Sequence, residues 1–161
     1  MLAQLLQVIV FETLITAVLN EVPKDTGVVT AVREITRDHA RDEGRHHRFF
    51  SSLFHELWSQ LAPELRAQVA SAMPPLIHEC LTWDLEPVRS SLMLAGVEEG
   101  TAKEVVDDCY DGKAGTQRVR DIGRATVKTC ESAGVFDLPG AKEAFITHGL
   151  IGVGDNSPDG G

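Results

Sequence analysis

Basic residues are scarce in this chain. Its 161 residues carry 15 Lys plus Arg against 24 Asp plus Glu, a formal charge of −9. No cluster of Lys and Arg interleaves with aromatics, so binding to a phosphate backbone is excluded. Cysteine is sparse as well. Cys80, Cys109 and Cys130 are odd in number and lack CxxC spacing. They are expected as reduced, mostly buried thiols of a cytoplasmic protein rather than a disulfide framework. There is no GxGxxG, P-loop, HExxH or GxSxG, so the phosphate-cradle, zincin and serine-hydrolase chemistries find no support. The apolar stretch LAQLLQVIVFETLITAVL has no basic leader and no small-residue cleavage site, and Gln4, Gln7 and Glu12 interrupt it. It reads as a buried helix rather than a signal peptide or membrane span.

What is present is helical almost throughout, with no internal repeat and no strand run bounded by turn chemistry. The expected helices run from Leu2 to Asn20, Val28 to Leu61 and Pro63 to Trp83, the last kinked or broken at Pro74-Pro75. Shorter ones follow over Glu86–Ala95, Glu98–Tyr110, Thr116–Ala133 and Ala141–His148. Asp25 or Thr26 is a candidate N-cap, and Gly96, Gly112 and Gly134 are candidate stops. The large apolar residues Phe49, Phe50, Leu53, Phe54, Leu57 and Trp58 are expected in the core. Residues 1–150 make one domain. The tail 151–161 is rich in Gly, Asp and Pro and is expected to be disordered.

The chemistry concentrates in HARDEGRH. His39, Glu43 and His46 stand at i, i+4 and i+7, which brings them within roughly 40° of one direction on a helix. Glu12 lies on the preceding helix between Phe11 and Thr13. A carboxylate in so apolar a helix must be protonated, paired or metal-bound. Carboxylate-bridged di-iron and di-manganese bundles take one Glu from each of two helices and a Glu-x-x-His from each of two others. One helical hairpin here offers one of each: Glu12, then Glu43 with His46. Mixed oxygen and nitrogen donors suit iron or manganese. Asp42, beside the ligand face, is a candidate acceptor for a ligand imidazole. Arg45 and Arg41 are candidates to offset the carboxylate charge. Gly44 costs about 1 kcal/mol in a helix interior, so close approach of another backbone is expected there. His47 is rotated off the cluster and reads as a packing or surface residue.

The run ETL followed by HARDEGRHHRFF resembles the p-aminobenzoate N-oxygenase family, and DEGRH is similar to the DExRH box of di-iron monooxygenases. The likeness is specific over Leu2 to Leu61 and general beyond. It implies an all-α, ferritin-like helical bundle and an enzyme that activates dioxygen on two iron ions to turn an aryl amine into a hydroxylamine and onward toward a nitro compound. By that resemblance Glu12, His39, Glu43 and His46 are metal ligands, His39 matching an additional histidine that distinguishes the family.

A full di-iron bundle needs another Glu helix and another Glu-x-x-His helix. His78 and Glu79 are adjacent, Glu143 and His148 are five apart, and the chain has no second Glu-x-x-His. In the family the other two helices precede the equivalent of Glu12. The chain is therefore expected as the C-terminal half of such an enzyme, lacking the N-terminal helix pair, or as a homodimer that pools two hairpins. Other readings are a single-metal site, a different ferritin-like oxidase or desaturase with His39 incidental, and an inactive helical remnant serving as an interaction module. The natural amine and the electron donor are not specified by these residues.

Overall fold

The computed structural model describes residues 2–82, 84–110 and 112–152, with the backbone alone for 112–114. The expected tail, from residue 153 on, lies outside the described residues. Among the described residues the regular structure is all helical: α1 (Leu2–Leu19), α2 (Thr30–Gln60), α3 (Pro63–Leu81), α4 (Glu86–Leu94), α5 (Glu99–Tyr110), α6 (Gly112–Ser132) and α7 (Ala141–Thr147).

No Gly or Pro interrupts α1, and its buried residues Leu6, Ile9, Val10, Thr13 and Leu14 fall at the spacing of one helical stripe. Taken with the residues that follow it to Lys24, this helix is long and apolar enough to cross a membrane by composition. Here that stripe instead lies in the common core, with Phe54, Trp58, Val69, Met73, Ile77, Ile122, Val135 and Phe145. The helix returns through a turn at Val22–Lys24 into α2, which runs antiparallel to it. Residue pairs Thr16/Glu43 and Thr13/His47 meet across the hairpin. α6 crosses back antiparallel to α1, joined by Thr126 to Thr13 and by Arg118 to Glu21.

Several local expectations need correction. α2 starts after Val29 with no side-chain cap. Asp25 is used earlier, its Oδ1 accepting the Gly27 N–H at 2.8 Å, a turn motif that competes with capping. Of the kink or break expected at Pro74-Pro75, the break is absent: α3 runs through both prolines as one helix. Each proline removes an intrahelical hydrogen bond, but buried Val69, Ala70, Met73, Pro74, Ile77 and Leu81 hold the segments on both sides against the core. Gly96 and Gly134 do end helices in the left-handed region, whereas Gly112 opens α6. A first-turn glycine gives up little, because its amide has no helical partner in any case. Phe49 is exposed rather than in the core. Cys80 and Cys109 are exposed and Cys130 alone is buried; Cys80 falls off the inward stripe of α3. Burial pushes the Cys130 thiol up to about 12.

Candidate metal centre

The α1–α2 hairpin carries the site because antiparallel packing sets residue 12 against residue 46. Ligand-capable atoms of Glu12, Glu43 and His46 all lie within 4.8 Å of one another. His46 Nδ1 is 3.1 Å from Glu43 Oε2 and 3.3 Å from Glu12 Oε2. The other oxygen of Glu43 faces the opposite way: His39 Nε2 is 2.9 Å from Oε1. One carboxylate thus presents each of its oxygens to a different imidazole. Glu43 is the sheltered member, its side chain 11% exposed, while His39 and His46 are 58% and 54% exposed. In the arrangement seen, ring N–H groups donate to these carboxylates. A divalent cation would take the place of those protons, and two carboxylates with one or two imidazoles are donors that suit iron or manganese.

The structure brings three of the four expected ligands into one group and leaves His39 a turn away, tied to it through Glu43. Asp42 does not hold a ligand imidazole. Its Oδ1 accepts from Arg45 at 2.9 Å, with both side chains exposed, and Arg41 pairs likewise with Asp38. One position before Glu43 the helix has turned about 100° away from the cluster, and a partner three residues on is nearer. Among the described residues nothing outside its own helical turn lies within 4 Å of where a Gly44 Cβ would stand, so no approaching backbone there requires the glycine.

Sequence reasoning missed the residues that lock the hairpin. Thr16 Oγ1 donates to the Glu43 carbonyl at 3.1 Å, and half-buried His47 places Nδ1 3.2 Å from the Thr13 carbonyl. Thr13 Oγ1 in turn donates to Ile9 and Val10 carbonyls and accepts from Thr126 of α6 at 2.9 Å. Thr13 follows Glu12 directly, so α2 and α6 both fix the backbone that aims the Glu12 carboxylate. A threonine one residue past a glutamate in an apolar helix is the only trace of this in the sequence. A separate cleft of about 530 Å³ between α3, α5 and α6 is lined by His78, Tyr110, Arg118 and His148 among others. None of the four expected ligands borders it.

A sequence model of the family described as p-aminobenzoate N-oxygenase AurF matches residues 1–134. A 4-aminobenzoate N-oxygenase from Streptomyces thioluteus is 29% identical over 135 residues, covering 81% of this chain. The chain spans 39% of the length of that curated relative. No solved structure matches it.

Proposed function

Because the chain belongs to the p-aminobenzoate N-oxygenase AurF family, we propose that its α1–α2 hairpin is the ligand-bearing half of a di-iron centre that N-oxygenates an aryl amine. The observation that carries this is the convergence of Glu12, Glu43 and His46 within 4.8 Å, in a chain similar to a protein named for 4-aminobenzoate N-oxygenation. Glu12, Glu43 and His46 would hold the metal, with Glu43 offering each of its two oxygens, which here face two separate imidazoles. His39, beside Glu43 Oε1, would add a further nitrogen donor. Iron is the metal, with manganese the alternative that the same donors accept.

When bound, two ferrous ions supply the electrons that activate dioxygen. The chain's own part is to hold the carboxylates and imidazoles at fixed spacing and to shelter Glu43 from water. The latch through Thr13, Thr16, His47 and Thr126 performs the first task, because none of those four residues contributes a ligand atom yet all bear on α1 or α2 beside one. We place the protein in the cytoplasm, in keeping with its three unpaired thiols.

The test is metal retention after anaerobic loading with ferrous iron and desalting, followed by assay of 4-aminobenzoate for N-oxygenated products. The parent chain is expected to retain iron, and Glu43→Ala to lose it. A Glu43→Ala chain that retains iron as the parent does would overturn the ligand assignment.

A further inference from the structure

The cleft of about 530 Å³ between α3, α5 and α6 takes no part in the metal reading, and its lining has a chemistry of its own. The chain carries a formal charge of −9, yet among the described residues no Asp or Glu lines this cleft. The fixed charge on its lining is that of Arg118, which an ion pair with Glu21 of α1 at 3.0 Å ties down. Leu81 and Ile122, both buried in the common core, and half-buried Val119 give the cleft an apolar wall. A volume of this size, mostly apolar with a few polar groups, suits a small molecule.

His78 and His148 line the same cleft, with ring centroids 6.2 Å apart. His78 Nδ1 is 3.1 Å from the His148 carbonyl, and His148 Nδ1 is 2.8 Å from the Ala144 carbonyl. A carbonyl only accepts, so each ring carries its proton on Nδ1 and donates from there. Neither Nε2 has a hydrogen-bond partner among the described residues. Each Nε2 can therefore take up a proton and donate it to a bound acceptor without breaking the bond already made.

We infer that this cleft is a second binding site, for a small organic anion. One carboxylate is set against Arg118, His78 and His148, and an apolar body lies against Leu81, Val119 and Ile122. A neutral apolar molecule would leave the guanidinium and both Nε2 atoms unused, and a bare inorganic anion would leave the apolar wall wet. A metal ion fits less well. Cys109 also lines the cleft, but among the described residues it forms no three-ligand group with the two imidazoles. The site stands whether or not iron binds at the hairpin, because none of the four expected ligands borders it.

The experiment titrates the full, metal-free chain with phenylacetate and with its neutral isostere phenylacetamide, reading the ring signals of the six histidines by NMR. His78→Gln and His148→Gln variants assign the two cleft signals. Phenylacetate is expected to move those two toward the imidazolium position and to leave His39 and His46 where they were. It should bind about tenfold more tightly than the amide, the worth of hydrogen bonding to a charged group. Arg118→Gln should remove that advantage. Arg118 is exposed, so the variant should fold, which unchanged His39 and His46 signals before titration would verify. Equal binding of acid and amide overturns the anionic ligand. Inorganic phosphate that reproduces the shifts overturns the apolar body. Shifts at His39 and His46 alone put the anion at the hairpin and overturn the cleft site, as does the absence of any shift at millimolar phenylacetate.

Discussion

Gly44 follows the most sheltered candidate ligand, and among the described residues nothing outside its own helical turn lies within 4 Å of where its Cβ would be. A glycine in a helix interior costs about 1 kcal/mol relative to alanine. Gly44→Ala is therefore expected to stabilise the dilute, metal-free chain by about that amount in urea unfolding. Destabilisation would mean that another backbone already lies against this turn. Thr126 makes the complementary case. Thr126→Val keeps the shape of a buried side chain and removes the hydrogen bond to Thr13 Oγ1. Thr13 still donates to the Ile9 and Val10 carbonyls, so only a net hydrogen-bond worth of stability, about 0.5–1.5 kcal/mol, should be lost. Ferrous-ion affinity should fall by about tenfold, because the backbone beside Glu12 is no longer held from α6. Unchanged affinity alongside lower stability would reduce the latch to packing. At this scale Glu43 and His46 were legible in the sequence, since spacing on a single helix fixes their common face. The Asp42–Arg45 pair and the His47–Thr13 contact were not. Which neighbour a surface side chain chooses, and what lies across a hairpin, depend on register that no single helix encodes.

Among the helices, α5 is held weakly by packing, with Ala102 and Val106 its buried residues, so its start matters. Glu98 stands just before it, with Oε2 accepting the Thr101 N–H at 3.1 Å. Hydrogen bonds from the Gly100 and Thr101 amides hold its carboxyl below the ordinary value of 4.5. A carboxyl depressed in the folded chain stabilises it above the ordinary value, and that contribution is lost as the pH falls through the folded value. Glu98→Gln should thus lower resistance to urea at neutral pH, and its difference from the parent should vanish as the pH drops below 4.5. A gap that persists in acid would assign the effect to packing instead. Element positions followed from composition: apolar stripes, Pro63 at a start, Gly96 and Gly134 at ends. The misjudged boundaries share one cause. Asp25, Pro74-Pro75 and Gly112 each carry a local signal that tertiary contacts or a competing turn override.

For the molecule as a whole, the family match ends at residue 134 but the core does not. Val135, Ala141, Phe145 and Leu150 are buried in the same cluster as Ile9, Phe54 and Ile77. Phe145 is fully buried and meets Phe136 edge-on at 5.0 Å. The last described helix is thus part of one folding unit with the ligand hairpin, although it packs chiefly on α3 and on the turn at Val135–Asp137. Removing a fully buried phenylalanine side chain leaves a cavity and typically costs about 3–5 kcal/mol. Phe145→Ala is accordingly expected to lower the unfolding free energy by that much, while the folded fraction binds ferrous iron as the parent does. Affinity that fell together with stability would show that α7 helps to aim the ligands through the core. Affinity that held would separate the scaffold from the site, leaving the hairpin and its threonine latch as the parts that set the chemistry.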